Sequence, residues 1–280
     1  MARLWELPSQ RLSRQWPMPA FQSAVFADAE SLLLASISMT NEPAVVRRVD
    51  LSTPNLAMKE MRLGGVASPS TALCLSADGA QVFTGHADGT IAVWGTRSGQ
   101  LLYERERELS LQGRPDPIDA LALSADGRSL AAAAFTHARV KTWMVTGLQQ
   151  RGSRIFGASY PLSLAISPDG SRVATGGNGE GLSANVWTGA LDEREMNLRA
   201  HLHAVVAAAF SPDGRTLATG AVDASLKLWN LETRRDVVTE SLGSEVQAKY
   251  LLFSPNGSWL GAADSKGILH LYHAPPPNGS

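Results

Sequence analysis

Residues 205–230 read VVAAAFSPDGRTLATGAVDASLKLWN. Three short apolar runs alternate with two polar breaks. Ser211-Pro212-Asp213-Gly214 has the signature of a type I turn, because Pro presets φ at the second position and Gly closes the turn without a Cβ clash. Across the second break, Ala221-Val222-Asp223-Ala224, the flanking runs alternate apolar and polar as half-buried strands do. The stretch therefore predicts an antiparallel three-stranded meander, with a fourth strand following over residues 236–241.

Five other segments repeat this plan. The turn recurs as Ser76-Ala77-Asp78-Gly79, Ser124-Ala125-Asp126-Gly127, Ser167-Pro168-Asp169-Gly170 and Ser254-Pro255-Asn256-Gly257, with a degenerate Phe26-Ala27-Asp28-Ala29 ahead of them. From Asp28 to Asn256 the steps are 50, 48, 43, 44 and 43 residues. An aromatic keeps the same phase at the end of the third strand, at Trp94, Trp143, Trp187, Trp229 and Tyr272, with Val49 in the first unit. Self-similarity at a fixed period marks a repeat architecture.

This period and these marks resemble the WD-repeat β-propeller family, in which each unit of roughly 40–45 residues makes one four-stranded blade. The resemblance implies an all-β propeller of four-stranded antiparallel blades, with six recognisable repeats plus an N-terminal partial repeat. The units run over about 20–63, 64–115, 116–154, 155–200, 201–243 and 244–274, after a partial unit at 1–18 and before a Pro-rich tail at 275–280. By the family's spacing, His201, Thr219, Asp223 and Trp229 fall where its structural His, Ser/Thr, Asp and Trp lie. The resemblance gives them an architectural role, tying the loop that enters a blade to the blade's centre.

The partial unit rests on Trp5, one period before Val49, and on the likeness of Ala2-Arg3-Leu4-Trp5-Glu6-Leu7 to Leu226-Lys227-Leu228-Trp229-Asn230-Leu231. The last unit stops at Pro275-Pro276-Pro277 without a fourth strand, since proline cannot donate to a ladder. Two closures are compatible with this. Residues 10–16 can supply the missing strand to six blades, or the chain carries part of a seventh blade whose first two strands lie upstream.

Composition narrows the class. A net charge of −1 gives no electrostatic footprint for nucleic acid or an anionic membrane, and no run has the length and apolarity of a transmembrane span. The first twenty residues carry Arg3, Glu6, Arg11 and Arg14 and no apolar core of a signal peptide, so a cytoplasmic location is expected. Cys74 is the single cysteine and sits in an apolar run, which reads as an inert core thiol. There is no GxSxG, Walker A, CxxC or HExxH, and the pairs His201/His203 and His270/His273 lack a carboxylate or thiol spaced for a tetrahedral site. We expect no catalytic residues, no metal and no cofactor.

The units differ in ways that suggest where a partner docks. Unit two keeps Thr84, Asp88 and Trp94 but has no His matching His201, and it ends in the alternating charges of Tyr103-Glu104-Arg105-Glu106-Arg107-Glu108, the pattern of a solvated edge. Unit three has His137 where the turn carboxylate would be. Unit four carries Gly176-Gly177-Asn178-Gly179-Glu180-Gly181, which reads as a flexible hairpin. The loop Arg154-Ile155-Phe156-Gly157-Ala158-Ser159-Tyr160-Pro161 is richest in interface residue types. Phe135, His137, Arg139, Phe156, Tyr160 and His86 are therefore the partner-binding candidates, although Phe156 and Tyr160 could instead plug the gap between blades. The expected function is a noncatalytic scaffold, a monomeric ring or part of a longer chain, that binds an unidentified protein or peptide on one face. Alternatives are a sensor or docking domain of a multidomain protein, or a propeller enzyme such as a metal-dependent hydrolase.

Overall fold

A computed structural model of the chain describes residues 2–6, 11–16, 23–28, 31–36, 44–50, 52, 58–105, 108–111, 114–157, 160–178, 182–243 and 246–273. Its sheets follow chain order. Blade one is Ser23–Asp28, Ser31–Ser36, Ala44–Asp50 and Met58–Leu63, and blade two is Ser70–Leu75, Gln81–His86, Ile91–Gly95 and Leu101–Arg105. Blade three is Ala120–Leu123, Ser129–Ala134, Arg139–Met144 and Gln149–Ile155. Blade four is Pro161–Ile166, Arg172–Gly177, Ala184–Thr188 and Arg194–Leu198, and blade five is Val205–Phe210, Thr216–Ala221, Ser225–Asn230 and Arg235–Ser241. Each is an antiparallel meander of four strands, and the sixth blade has three, Ala248–Phe253, Trp259–Asp264 and Leu269–His273. The architecture is an all-β, six-bladed propeller of antiparallel blades.

The turn that opens each meander is more elaborate than its four-residue signature. In blade five the Gly214 N–H donates to the Ser211 carbonyl at 2.9 Å, with Gly214 at φ +68°. A Cβ is strained at that φ, which accounts for glycine there. The Ser211 hydroxyl donates to Asp213 Oδ1 and accepts the Thr216 N–H at 2.9 Å, while Asp213 also accepts the Arg215 N–H at 3.0 Å. Ser76, Ser167 and Ser254 make the same links through Asp78, Asp169 and Asn256. The turn is thus a small side-chain lattice that satisfies the orphaned backbone donors at a strand end.

Neighbouring blades stack through their first strands, and the core lies between them. The second strand of each receiving blade presents a small residue to the next. A Cβ on Gly85 would lie 2.5 Å from Ile118 Cγ2, one on Gly176 2.5 Å from Val205 Cγ1, and one on Gly220 2.3 Å from Ala248 Cβ. Glycine here is a space requirement, since real Cβ contacts do not approach so closely.

The N-terminal ribbon Ala2–Glu6 pairs with Arg11–Trp16, with an irregular register between Leu4 and Trp5. The same irregularity falls before Trp143, Trp187 and Trp229, where third and fourth strands pair. Arg11–Trp16 does not supply a strand to the sixth blade: Leu269–His273 pairs only with Trp259–Asp264 among the described residues. The backbone donors of a fourth strand go to the N-terminal hairpin instead. The Pro-rich tail lies outside the described residues.

Candidate docking site

Trp229, Thr219, His201 and Asp223 form one hydrogen-bonded chain whose direction is fixed from both ends. The Trp229 indole can only donate, and it donates to Thr219 Oγ1 at 2.7 Å. Asp223, ionised, can only accept, and its Oδ1 takes the Ser225 hydroxyl. Ser225 therefore accepts from His201 Nδ1 at 2.7 Å, and His201 Nε2 accepts the Thr219 hydroxyl at 2.7 Å. Ser225, which sequence spacing did not flag, is the link between imidazole and carboxylate; the direct His201 Nδ1 to Asp223 Oδ1 separation is 3.6 Å. Burial holds His201 below its ordinary pKa, against the pull of Asp223, so the ring is neutral as this chain requires. Burial works to raise the Asp223 pKa, but the Ser225 hydroxyl and the N–H groups of Leu202 and Ser225 outweigh it and hold the carboxyl below its usual range.

Blade two builds the same chain from a different sequence position. Trp94 Nε1 donates to Thr84 Oγ1 at 2.9 Å, Thr84 meets His86 Nε2 at 2.9 Å, and His86 Nδ1 donates to the Ser68 carbonyl at 2.7 Å. The imidazole comes from the end of the second strand rather than from the loop before the first. His86 is 2% exposed, so it belongs to the interior and offers no surface to a partner. Arg139, also a candidate for the rim, is likewise buried. In blade three Ala132 replaces the Thr, and His137 Nδ1 lies 2.7 Å from Oδ1 of the fully buried Asp116 while the rest of its ring reaches solvent. Phe135 is half-buried against the core between blades three and four. Cys74 is half-buried at the edge of the apolar cluster shared with blade three, and desolvation pushes its thiol up to about 12, far from a nucleophile's range.

Blade four departs most. Trp187 Nε1 donates to Thr175 Oγ1 at 3.0 Å, but no imidazole stands beside that hydroxyl among the described residues. A cleft of about 580 Å³ opens there between blades three and four, lined by Phe156, Tyr160, Thr175, Asn185, Trp187 and Arg194 among others. The two blades that flank it are clamped together. Arg151 and Arg154 reach from the last strand of blade three to the carbonyls of Gly170 and Leu191 at 2.7 and 2.9 Å, and Thr142 Oγ1 reaches that of Gly189 at 2.7 Å. The Arg154 guanidinium lies 4.2 Å from the centre of the Trp187 ring, Arg194 lies 5.9 Å from it, and Phe156 meets that ring edge-on at 5.3 Å. The two loop aromatics divide: Phe156 is half-buried in the inter-blade core, whereas Tyr160 is 45% exposed at the cleft mouth.

The family model described as WD domain, G-beta repeat, matches residues 64–95 and 193–230. These two segments are WD repeats, and the similar proteins support a WD-repeat β-propeller family. The two matched segments carry the Trp–Thr pairs of blades two and five, the blades in which the chain from indole to imidazole is complete. Among similar proteins, Autophagy-related protein 16 of Arabidopsis thaliana is 28% identical over 167 residues, covering 58% of this WD-repeat chain and 31% of its own length. Small ribosomal subunit protein RACK1 of Caenorhabditis elegans is 28% identical over 148 residues, 48% of this chain and 42% of its own. Target of rapamycin complex subunit wat1 of Schizosaccharomyces pombe is 26% identical over 197 residues, 67% of this chain and 58% of its own. The chain thus spans less than two thirds of the length of each relative. No group of histidine, cysteine and carboxylate side chains among the described residues could hold a metal ion, and no helix there is long and apolar enough to cross a membrane.

Proposed function

We propose that this propeller is a noncatalytic scaffold that recognises a protein or peptide partner, and that the partner docks at the cleft between blades three and four. The observation that carries the reading is the combination of an open cleft with Tyr160, Ile155 and Arg194 exposed at it and flanking blades joined by arginine-to-carbonyl bonds. Aromatic and arginine side chains dominate interface energetics, and flanking blades held in place before binding lower the ordering cost of association. Two relatives bear names that place them in assemblies, a small ribosomal subunit and a target of rapamycin complex, which supports a role among protein partners. A net charge of −1 favours neither nucleic acid nor membrane, and we place the protein in the cytoplasm. We also read the N-terminal ribbon, with its third-to-fourth-strand irregularity at Trp5, as part of a further blade, consistent with a docking domain within a larger polypeptide.

The test uses the full chain, immobilised, to capture partners from a lysate of its own source cells. Tyr160→Glu should lower the captured amount at least tenfold while moving the melting temperature by no more than about 2 °C, because the ring is exposed. Capture unchanged in Tyr160→Glu would remove the cleft from the binding surface.

A further inference from the structure

The cleft is more specific than a general docking surface. We propose that it is a carboxylate-binding subsite that takes an Asp or Glu side chain of a partner peptide in the place that an imidazole fills in blades two and five; the proposal rests on the docking reading above. In those blades the Thr hydroxyl under the tryptophan donates to a histidine Nε2. Blade four keeps the tryptophan and the threonine, and Trp187 uses one lone pair of Thr175 Oγ1. The Thr175 O–H is left to donate into the cleft. Asn185 lies beside it, and its Oδ1 already accepts the Asn197 amide at 2.8 Å, so its own amide also presents hydrogen to the cleft. Above them stands Arg194, with no carboxylate within ion-pair distance among the described residues. Arg154 adds positive charge while one of its nitrogens holds Leu191.

Thr175, Asn185, Arg154 and Arg194 thus present donors or positive charge, beside Asn178 and Ser183, which can donate or accept, and no acidic side chain lines the cleft among the described residues. Such a set calls for an anionic group that only accepts, and an arginine fork suits a planar carboxylate. The volume exceeds one carboxylate, and Tyr160 and Ile155 give apolar cover to a flanking residue. Charge complementarity and the absence of the imidazole therefore commit the site to an acidic peptide.

Fluorescence anisotropy on the full chain tests this with labelled, end-capped heptapeptides that differ only at the centre: Glu, Asp, Gln, Asn or phosphoserine. The expected result is at least tenfold tighter binding of the Glu and Asp peptides than of their amides. Arg194→Gln should weaken the acidic peptides about ten- to hundredfold, the size expected for one lost charge-assisted hydrogen bond, and erase the discrimination. Arg194→Lys should restore part of it. Asn185→Asp, which keeps the acceptor for Asn197 and places a carboxylate in the slot, should compete from within and abolish acidic binding. Binding that depends on Tyr160 without preferring acid would overturn the carboxylate subsite and leave the docking reading standing. A phosphoserine preference above tenfold, acidic binding indifferent to Arg194→Gln and Asn185→Asp, or no binding of any peptide would each overturn it as well.

Discussion

At the scale of the residue, direction matters more than proximity. The chain Trp229 to Thr219 to His201 to Ser225 to Asp223 runs from a group that only donates to one that only accepts, so every intermediate hydroxyl and ring nitrogen has one possible role. Such a chain is satisfied only while His201 is neutral and Asp223 ionised. Asp223→Ala leaves the Ser225 hydroxyl and the Leu202 N–H without their acceptor and should cost about 1–3 kcal/mol, read as a fall in denaturation midpoint with an unchanged slope. A midpoint equal to the parent's would refute the architectural role. The pH dependence follows from signs. His201 and His86 have folded pKa values depressed by burial, so the unfolded chain binds protons that the folded chain refuses. Their contribution is present above the ordinary histidine value, about 6.5, and is lost as pH falls through and below it. Turn carboxylates such as Asp169, held at about 2 by the Ser167 hydroxyl first and by the Ser171 N–H and hydroxyl, also contribute above their unfolded value of about 4 and lose that contribution below it. The melting temperature should therefore decline in two stages, one that begins as pH falls below about 6.5 and another below about pH 4. His201→Gln should remove part of the first stage only.

At the scale of the element, each blade is specified by local marks, which explains what could be read in advance. The Ser-x-Asp/Asn-Gly turns and the strand-ending tryptophans act within a few residues of themselves, so their spacing announces the blades. What was not legible depends on contacts between elements. His86 sits on a strand yet fills a slot that His201 reaches from a loop, and only the fold brings the two to equivalent places. Arg139 looks like a rim residue in sequence because burial of a cation is decided by the neighbouring blade. Phe156 and Tyr160 share one loop and differ because the backbone turns one ring onto Trp187. The Arg154–Pro161 loop marked one wall of the cleft in advance, but the opening beside Thr175 was not legible, because it depends on which side chains the fold brings to that hydroxyl. The glycines that receive the next blade are another inter-element requirement. Gly220→Val puts a branched side chain where even a Cβ would lie 2.3 Å from Ala248, and it should destabilise by about 1–3 kcal/mol through overpacking. Gly127→Ala serves as the contrast. That residue has open space at its Cβ but φ +70°, so its smaller loss would come from strain alone. Equal effects from the two would show that packing between blades is softer than the geometry requires.

At the scale of the whole molecule, the question is what covers the last blade. In blade five Ala207 faces Gly220 across the first strand pair and is 5% exposed, because blade six packs over it. Tyr250 holds the same register opposite Ala263 in blade six, and it is 71% exposed; Leu252, two residues on, is 74% exposed. Ile268 and Leu269 are each 53% exposed at the start of the third strand, whose outer edge has no strand partner among the described residues. The blade thus combines bulky apolar residues on a face that other blades bury with an unpaired edge, the two features that drive association between chains. Chain 1–280 in isolation should therefore self-associate, with a mass above 29.8 kDa by light scattering that rises with concentration. Tyr250→Lys with Leu252→Lys should return the mass to that of the monomer without lowering the melting temperature, since neither ring nor aliphatic chain contributes to the core. A parent chain that stays monomeric at every concentration would mean that the exposed face is tolerated in solution, and the double variant would then change nothing. If the parent associates and the double variant associates equally, the unpaired edge rather than the apolar face is responsible, and a proline placed on Leu269–His273 should dissociate it.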